Sequence, residues 1–164
     1  MSRILLAVAA CAFVSAPTVA RDDKESVFVK LVHVDTGKVL AVAENSDESG
    51  ARAVLAKEDD KETGQQWKLV KDGTHVKVVN RKTGKVLDVN EASSDEGAAI
   101  IQWDAKDDDN DNQRWSWVGE GPDRRLKSKS SSLVVDVDDE GKLIQKKADD
   151  KAKGQLWKVV EVKK

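Results

Sequence analysis

The chain has 164 residues, the length of one domain, with 28 Lys and Arg against 30 Asp and Glu and a net charge of −2. The two signs are interspersed, so no basic stripe is present to displace counterions, and a nucleic-acid partner is excluded. One cysteine and two histidines, His33 and His75, show no metal-ligand spacing, so no metal and no cofactor are expected; both histidines read as half-exposed strand residues.

From the N-terminus, residues 1–20 read as a secretory signal peptide. Met1-Ser2-Arg3 supplies the positive start, Ile4 to Val14 an apolar run too short to span a bilayer, and Ser15-Ala16-Pro17-Thr18-Val19-Ala20 a small-residue exit, with cleavage expected after Ala20. The expected location is secreted, periplasmic or cell-envelope. A second reading takes Val8-Ala9-Ala10-Cys11 as a bacterial lipoprotein cleavage box that anchors the chain through Cys11, although the apolar run continues through Ala12, Phe13 and Val14. Cleavage removes Arg3 and Cys11, leaving a slightly acidic chain that must fold without a disulfide, which is feasible at this size. Residues 21–26 form an N-terminal extension, and residues 27–164 the domain.

The domain repeats itself. Lys30-Leu31-Val32-His33-Val34-Asp35-Thr36-Gly37-Lys38-Val39-Leu40-Ala41-Val42 returns as Lys77-Val78-Val79-Asn80-Arg81-Lys82-Thr83-Gly84-Lys85-Val86-Leu87-Asp88-Val89, and more weakly in residues 125–137. Each copy ends in Gln-x-Trp followed by apolar alternation: Gln65-Gln66-Trp67, Gln113-Arg114-Trp115 and Gln155-Leu156-Trp157. The repeats span about residues 27–70, 71–118 and 124–162. Val27 to Val32 and His75 to Val79 are rich in strand formers, and Asp35-Thr36-Gly37, Lys71-Asp72-Gly73, Lys82-Thr83-Gly84 and Gly119-Glu120-Gly121-Pro122 are turns. No stretch of the domain carries a capped helical period. The fold class is therefore all-β, with roughly four strands per repeat and about twelve in all. A repeat this small cannot bury its own apolar face, so three copies must share one core, and closure about a pseudo-three-fold axis removes most free sheet edges.

Three Gln-x-Trp motifs, each behind a Val-Leu-x-Val or Val-Val-x-Val strand, resemble the ricin-B-type lectins. The resemblance covers residues 27 to about 162 and implies a β-trefoil that binds carbohydrate. It also implies that Trp67, Trp115 and Trp157 pack near the axis as structural core. Leu69, Trp117 and Val159, two residues on, share their face.

A sugar presents an apolar C–H face, which stacks on an aromatic ring, and hydroxyls, which need fixed acceptors and donors. The resemblance draws these from an Asp in the Leu-Asp-Val strand, an aromatic about fifteen residues later, and an Asn before the Gln of Gln-x-Trp. Repeat 2 holds the whole set as Asp88, Trp103 and Asn112, beside Gln113. The family often has a polar residue two before the aromatic; Ile101 stands there, with Gln102 displaced by one. The carbohydrate-binding residues expected are therefore Asp88, Trp103, Asn112, Gln113 and Gln102. Repeat 1 has Ala41, then Ala56 or Leu55, then Gly64; repeat 3 keeps Asp136 but has Lys146 or Lys147 and then Gly154. One site, in repeat 2, is expected, with a glycan of galactose type or xylan type as the implied ligand.

The alternatives are a turn-capping role for Asp88, loop packing for Trp103, and structural roles for Asn112 and Gln113. Asp107, Asp109 and Asp111 have the spacing of a calcium loop, but Asn112 stands where its Gly should be and Val118 where its bidentate Glu should be, so a solvated turn is expected. No nucleophile elbow or other catalytic constellation appears, and no enzyme activity is expected. The rival to a lectin-like module is a β-trefoil that has lost sugar binding and serves as a protein-interaction or inhibitor module.

Overall fold

The computed structural model describes residues 27–163; the leader, the box at Cys11 and the extension to residue 26 lie outside the described residues. Repeat 1 contributes β1 (Val29–His33), β2 (Val39–Val42), β3 (Ala53–Ala56) and β4 (Trp67–Asp72). Repeat 2 contributes β5 (His75–Asn80), β6 (Val86–Val89), β7 (Ile100–Trp103) and β8 (Trp115–Val118), and repeat 3 β9 (Arg125–Ser128), β10 (Val134–Val137), β11 (Leu143–Lys146) and β12 (Trp157–Glu161). The described residues thus form the all-β, pseudo-three-fold β-trefoil that the repeats call for. No helix among them is long and apolar enough to cross a membrane.

The strands divide into a barrel and a cap. In the barrel, β1 pairs with β4 and β12, β5 with β4 and β8, and β8 with β9. The ring is closed by Arg124 and Trp157, whose backbones exchange hydrogen bonds of 3.1 and 2.9 Å. Each Gln-x-Trp tryptophan enters its repeat in the same way, Trp67 opposite Val29, Trp115 opposite Val76 and Trp157 opposite Arg124. The cap consists of the hairpins β2–β3, β6–β7 and β10–β11, which meet pairwise through Arg52 and Ile101, Ala99 and Ile144, and Val54 and Lys142. A sheet closed in this way leaves few edges unpaired.

The three tryptophans are buried together with Leu31, Leu40, Val78, Leu87, Leu126 and Val135, and Leu69, Trp117 and Val159 pack against this cluster. The indole Nε1 of Trp67 donates to the Leu40 carbonyl and that of Trp115 to the Leu87 carbonyl, both at 3.1 Å. Trp157 Nε1 has no partner among the described residues.

The tight turns from β1 to β2 and from β5 to β6 need a residue with positive φ, which Gly37 and Gly84 provide at 69° and 71°. Ser132 adopts φ 63° in the corresponding turn of repeat 3. One expectation is overturned here: His33 is buried rather than half-exposed. Its Nδ1 lies 2.9 Å from Thr36 Oγ1, its Nε2 donates to the Gly154 carbonyl at 3.0 Å, and its ring packs 5.1 Å from that of Trp157. A strand residue at the barrel-to-cap junction is enclosed from both sides. Asn80 has the corresponding place in repeat 2 and donates to the Gly64 carbonyl at 2.9 Å.

Candidate functional site

The ladder between β6 and β7 decides which repeat 2 side chains meet. Asp88 stands opposite Ile101 and Val86 opposite Trp103, so Asp88 and Trp103 project from the same face as diagonal neighbours, about 7–8 Å apart by the usual geometry of a sheet. Trp103 is 40% exposed. Its ring leans on the loop of repeat 1, where Cζ3 lies 3.4 Å from the point that a β-carbon on Gly50 would occupy. Beside it, Asp104 accepts from Ser49 Oγ at 2.7 Å and from Lys85 Nζ at 2.5 Å, which holds its carboxyl below the usual range.

Asp88 is only 2% exposed. Asn112 Nδ2 donates to its Oδ1 at 2.8 Å, and Gln113 Nε2 donates to its Oδ2 at 2.8 Å. Burial raises the Asp88 carboxyl above its ordinary range, and hydrogen bonds from Gln113 and Asn112 and the charge of Lys106 work against that shift. Asn112 spends its second amide hydrogen on the Val89 carbonyl at 3.1 Å. Gln113 also donates to the Asp104 carbonyl at 2.9 Å and accepts from the Lys106 amide at 2.9 Å. The two amides therefore fix the carboxylate to both sides of the site. Gln65 and Gln155 hold the corresponding loops, accepting from the Asp59 and Asp149 amides at 2.9 Å.

Asp88, Trp103, Asn112 and Gln113 are thus brought together, and Gln102 is not. Strand alternation sends the Gln102 side chain to the opposite face, where it is fully buried. Its amide donates to the carbonyls of Ser46 and Glu48 at 2.9 and 3.0 Å and accepts from Thr83 Oγ1 at 3.1 Å. This residue clamps the loop of the preceding repeat, on the face away from Asp88 and Trp103. Gln145 does the same for Ser93 and Asp95 in the next repeat.

The register also settles the counterparts in the other repeats. Ala56 pairs with Val39, and Lys146 with Val134, as Trp103 pairs with Val86. In repeat 1 a side chain at Gly64 would displace that of Asn45, whose Oδ1 lies 2.3 Å from where the β-carbon would be. Beside Gly154 a cleft of about 320 Å³ lies between repeats 3 and 1, with Asp138, Asp139 and Glu140 in its lining and no tryptophan to stack on.

Lys106 was missed from the sequence. Its Nζ lies 3.7 Å from Asp88 Oδ2 and 3.5 Å from Asn112 Oδ1. Asp59 and Asp149 hold the same place in repeats 1 and 3, each six residues before the Gln; Lys106 is seven before, and the extra residue hides the correspondence. The added length is taken up by Asn110, whose side chain donates to the Lys106 and Asp107 carbonyls, and by Asp109 at φ 50°. Asp107, Asp108 and Asp109 face solvent, while Asp111 turns to Arg114 at 3.1 Å and Lys129 at 2.7 Å.

A model of the family described as ricin-type beta-trefoil lectin domain-like matches residues 18–103, just over half of the chain. The chain belongs to that family. Among solved structures, this ricin-type trefoil is similar to ThreeFoil, a designed three-fold symmetric protein, at 31% identity and a TM-score of 0.75, over 81% of the chain and 97% of ThreeFoil. It is also similar to 1,3Gal43A, an exo-beta-1,3-galactanase from Clostridium thermocellum, at 31% identity and a TM-score of 0.76; the match covers 85% of the chain but only 31% of that enzyme. The Polyporus squamosus lectin, solved with a sialylated galactose epitope, shares the fold at 19% identity and a TM-score of 0.70, over 82% of the chain and 48% of the lectin. Comparison with curated protein sequences gave no match.

Proposed function

We propose that this ricin-type trefoil is a carbohydrate-binding module with one working site, in repeat 2, and no chemical turnover. The observation that carries the reading is the exposed Trp103 ring on the same face as Asp88, in the one repeat that also has Asn112. The ring offers an electron-rich face to a sugar's C–H surface, and the buried carboxylate offers the lone pairs that Asn112 and Gln113 leave free. The similarity to a galactanase favours a galactose-type glycan over a xylan-type one. With the leader expected in residues 1–20, the module acts outside the cytoplasm, secreted or in the cell envelope.

A monosaccharide of about twelve heavy atoms, at roughly 0.3 kcal/mol per atom, gains about 4 kcal/mol, or about millimolar affinity. Useful retention then requires longer glycans or several linked copies. The test is retention on immobilised galactan and xylan, with wild type and Trp103→Ala compared at equal fold by circular dichroism. Retention that the substitution removes supports the module. A folded wild type that no glycan retains favours the protein-interaction reading, to which the near-complete burial of Asp88 lends support. Turnover in glycosidase, esterase or protease screens would overturn the non-catalytic part.

A further inference from the structure

We propose that the outer wall of the barrel, where repeat 2 meets repeat 3, holds a second binding site whose ligand is a tetrahedral oxyanion: a phosphate or sulfate group, as the free ion or as an ester. The inference stands apart from the carbohydrate reading and uses none of its residues.

The three-fold symmetry of the barrel exposes the site. The bridges that bring in the Gln-x-Trp tryptophans also set three side chains level across three neighbouring strands at each junction between repeats. Where repeat 1 meets repeat 2, the row is Phe28, Lys68 and Val79. Where repeat 3 meets repeat 1, it is Asp123, Lys158 and Val32, and Lys158 Nζ lies 3.6 Å from Asp123 Oδ1. Both rows have a long lysine in the middle. Where repeat 2 meets repeat 3, the row is His75, Ser116 and Lys127. The middle lysine has become a serine, and the cation has moved one strand over, to β9. His75 and Lys127 then stand two strand spacings apart, about 10 Å, with only a short hydroxyl side chain between them. A hollow of about 220 Å³ lies there, and its lining includes His75, Ser116, Val118, Lys127, Lys129 and Ser132.

The chemistry of the lining selects the ligand. No carboxylate takes part in it, although the chain has 30 acids against 28 bases, and acids line both the cleft beside Gly154 and the one at Lys30. Lys127 has no ion-pair or side-chain hydrogen-bond partner among the described residues. Lys129 Nζ donates to Asp111 Oδ1 at 2.7 Å, which leaves two of its three ammonium hydrogens. His75 Nδ1 lies 3.0 Å from Thr74 Oγ1, which leaves its Nε2. The acids nearby are engaged elsewhere, Asp111 by Arg114 and Lys129 and Asp72 by Arg114. Cations and hydroxyls from β5, β8, β9 and the turn after β9 thus surround a space smaller than the roughly 300–1,000 Å³ of pockets for drug-sized ligands, so it suits one charged group. Donors arriving from several directions match the acceptors of a tetrahedral anion, whereas a carboxylate presents its acceptors in one plane. Lysine holds such a group as a point charge at a half-exposed place, so binding is weak and falls as salt is raised.

The test follows the amide and His75 ring NMR signals of the full chain as inorganic phosphate or inorganic sulfate is added, with chloride balancing the ionic strength. Saturable shifts are expected at residues 75, 116 and 127–132. Lys127→Gln should weaken binding about tenfold, the usual loss for one hydrogen bond to a charged group, and Lys127→Arg should recover part of it. Ser116→Val fills the hollow without changing the charge and should abolish the shifts; the remaining amide spectrum reports that each variant is folded. Galactose 6-sulfate and galactose 6-phosphate, with galactose as the neutral control, separate the two sources of the anion. Esters that shift these residues at lower concentration than the inorganic ions assign the hollow to an ester, and inorganic ions that do so alone assign it to the free ion. Shifts that chloride reproduces, that spread evenly over the surface lysines, or that survive Lys127→Gln and Ser116→Val overturn the inference.

Discussion

Asn112 Nδ2 and Gln113 Nε2 donate to the two different oxygens of Asp88, each at 2.8 Å. In Asp88→Asn one of these donors must face an NH₂ group, so a buried amide loses its acceptor. The expected cost is about 1–3 kcal/mol in urea unfolding, together with loss of sugar retention. Stability equal to wild type would show that the two amides are not held by this carboxylate.

Trp103 and Trp115 are expected to separate function from stability. Trp115 is fully buried, so Trp115→Ala should cost about 3–5 kcal/mol. Trp103→Ala removes a half-exposed ring and should leave the unfolding midpoint within about 0.5 kcal/mol of wild type, since surface substitutions usually stay in that range. A large loss of stability in Trp103→Ala would make the ring a packing residue of the loop at Gly50.

The core tryptophans are not equivalent to one another. Trp115 Nε1 donates to the Leu87 carbonyl at 3.1 Å, whereas Trp157 Nε1 has no partner among the described residues. Trp115→Phe should therefore destabilise by about 1 kcal/mol more than Trp157→Phe, as measured by thermal and urea unfolding.

Gln102→Leu tests the clamp. Leu55 stands at this place in repeat 1, beneath a shorter turn, and its backbone amide donates to the Gly141 carbonyl at 2.8 Å. In repeat 2 the substitution strands the carbonyls of Ser46 and Glu48, so a loss of about 1–3 kcal/mol is expected. Hydrogen exchange should quicken in residues 46–50 before it does in the barrel.

Two opposed pH dependences are expected. Burial raises the Asp88 carboxyl above 3.8, so its stability contribution is greatest at low pH and declines as pH rises from 3.8 through its folded value. Sugar binding needs the carboxylate and should appear over that same rise. Asp72 and Asp111 are held below 3.8, Asp72 chiefly by Arg114 and Asp111 chiefly by Lys129, so their contribution is present above 3.8 and lost as pH falls through their folded values. Binding should therefore fail on acidification before the fold does; unfolding that precedes the loss of binding would reverse this order.

Much of the architecture was legible because it is written three times. The Gln-x-Trp motifs and the Thr-Gly turns at Gly37 and Gly84 fix strand ends and repeat length without any knowledge of which strands pair. The site was legible in part. Asp88 and Asn112 follow from their spacing to the motifs, but that Trp103 shares a face with Asp88, and Gln102 does not, required the register of β6 against β7 together with the alternation along β7. Lys106 was hidden by one extra residue in its loop, and the burial of His33 by enclosure from Gly154, far away in the sequence.

The loop that supports Trp103 comes from the repeat before it: the Gly50 amide donates to the Gln102 carbonyl at 2.8 Å, and in the same way the Gly97 amide donates to the Gln145 carbonyl at 2.7 Å. Repeat 2 therefore carries both the proposed binding face and, at Gly97, the brace that a following copy of itself would need. Strung three times in tandem, residues 71–118 would close into a particle with three identical faces, each braced by its neighbour, and a surface dense in the right glycan would hold that particle by avidity far beyond the strength of any one contact.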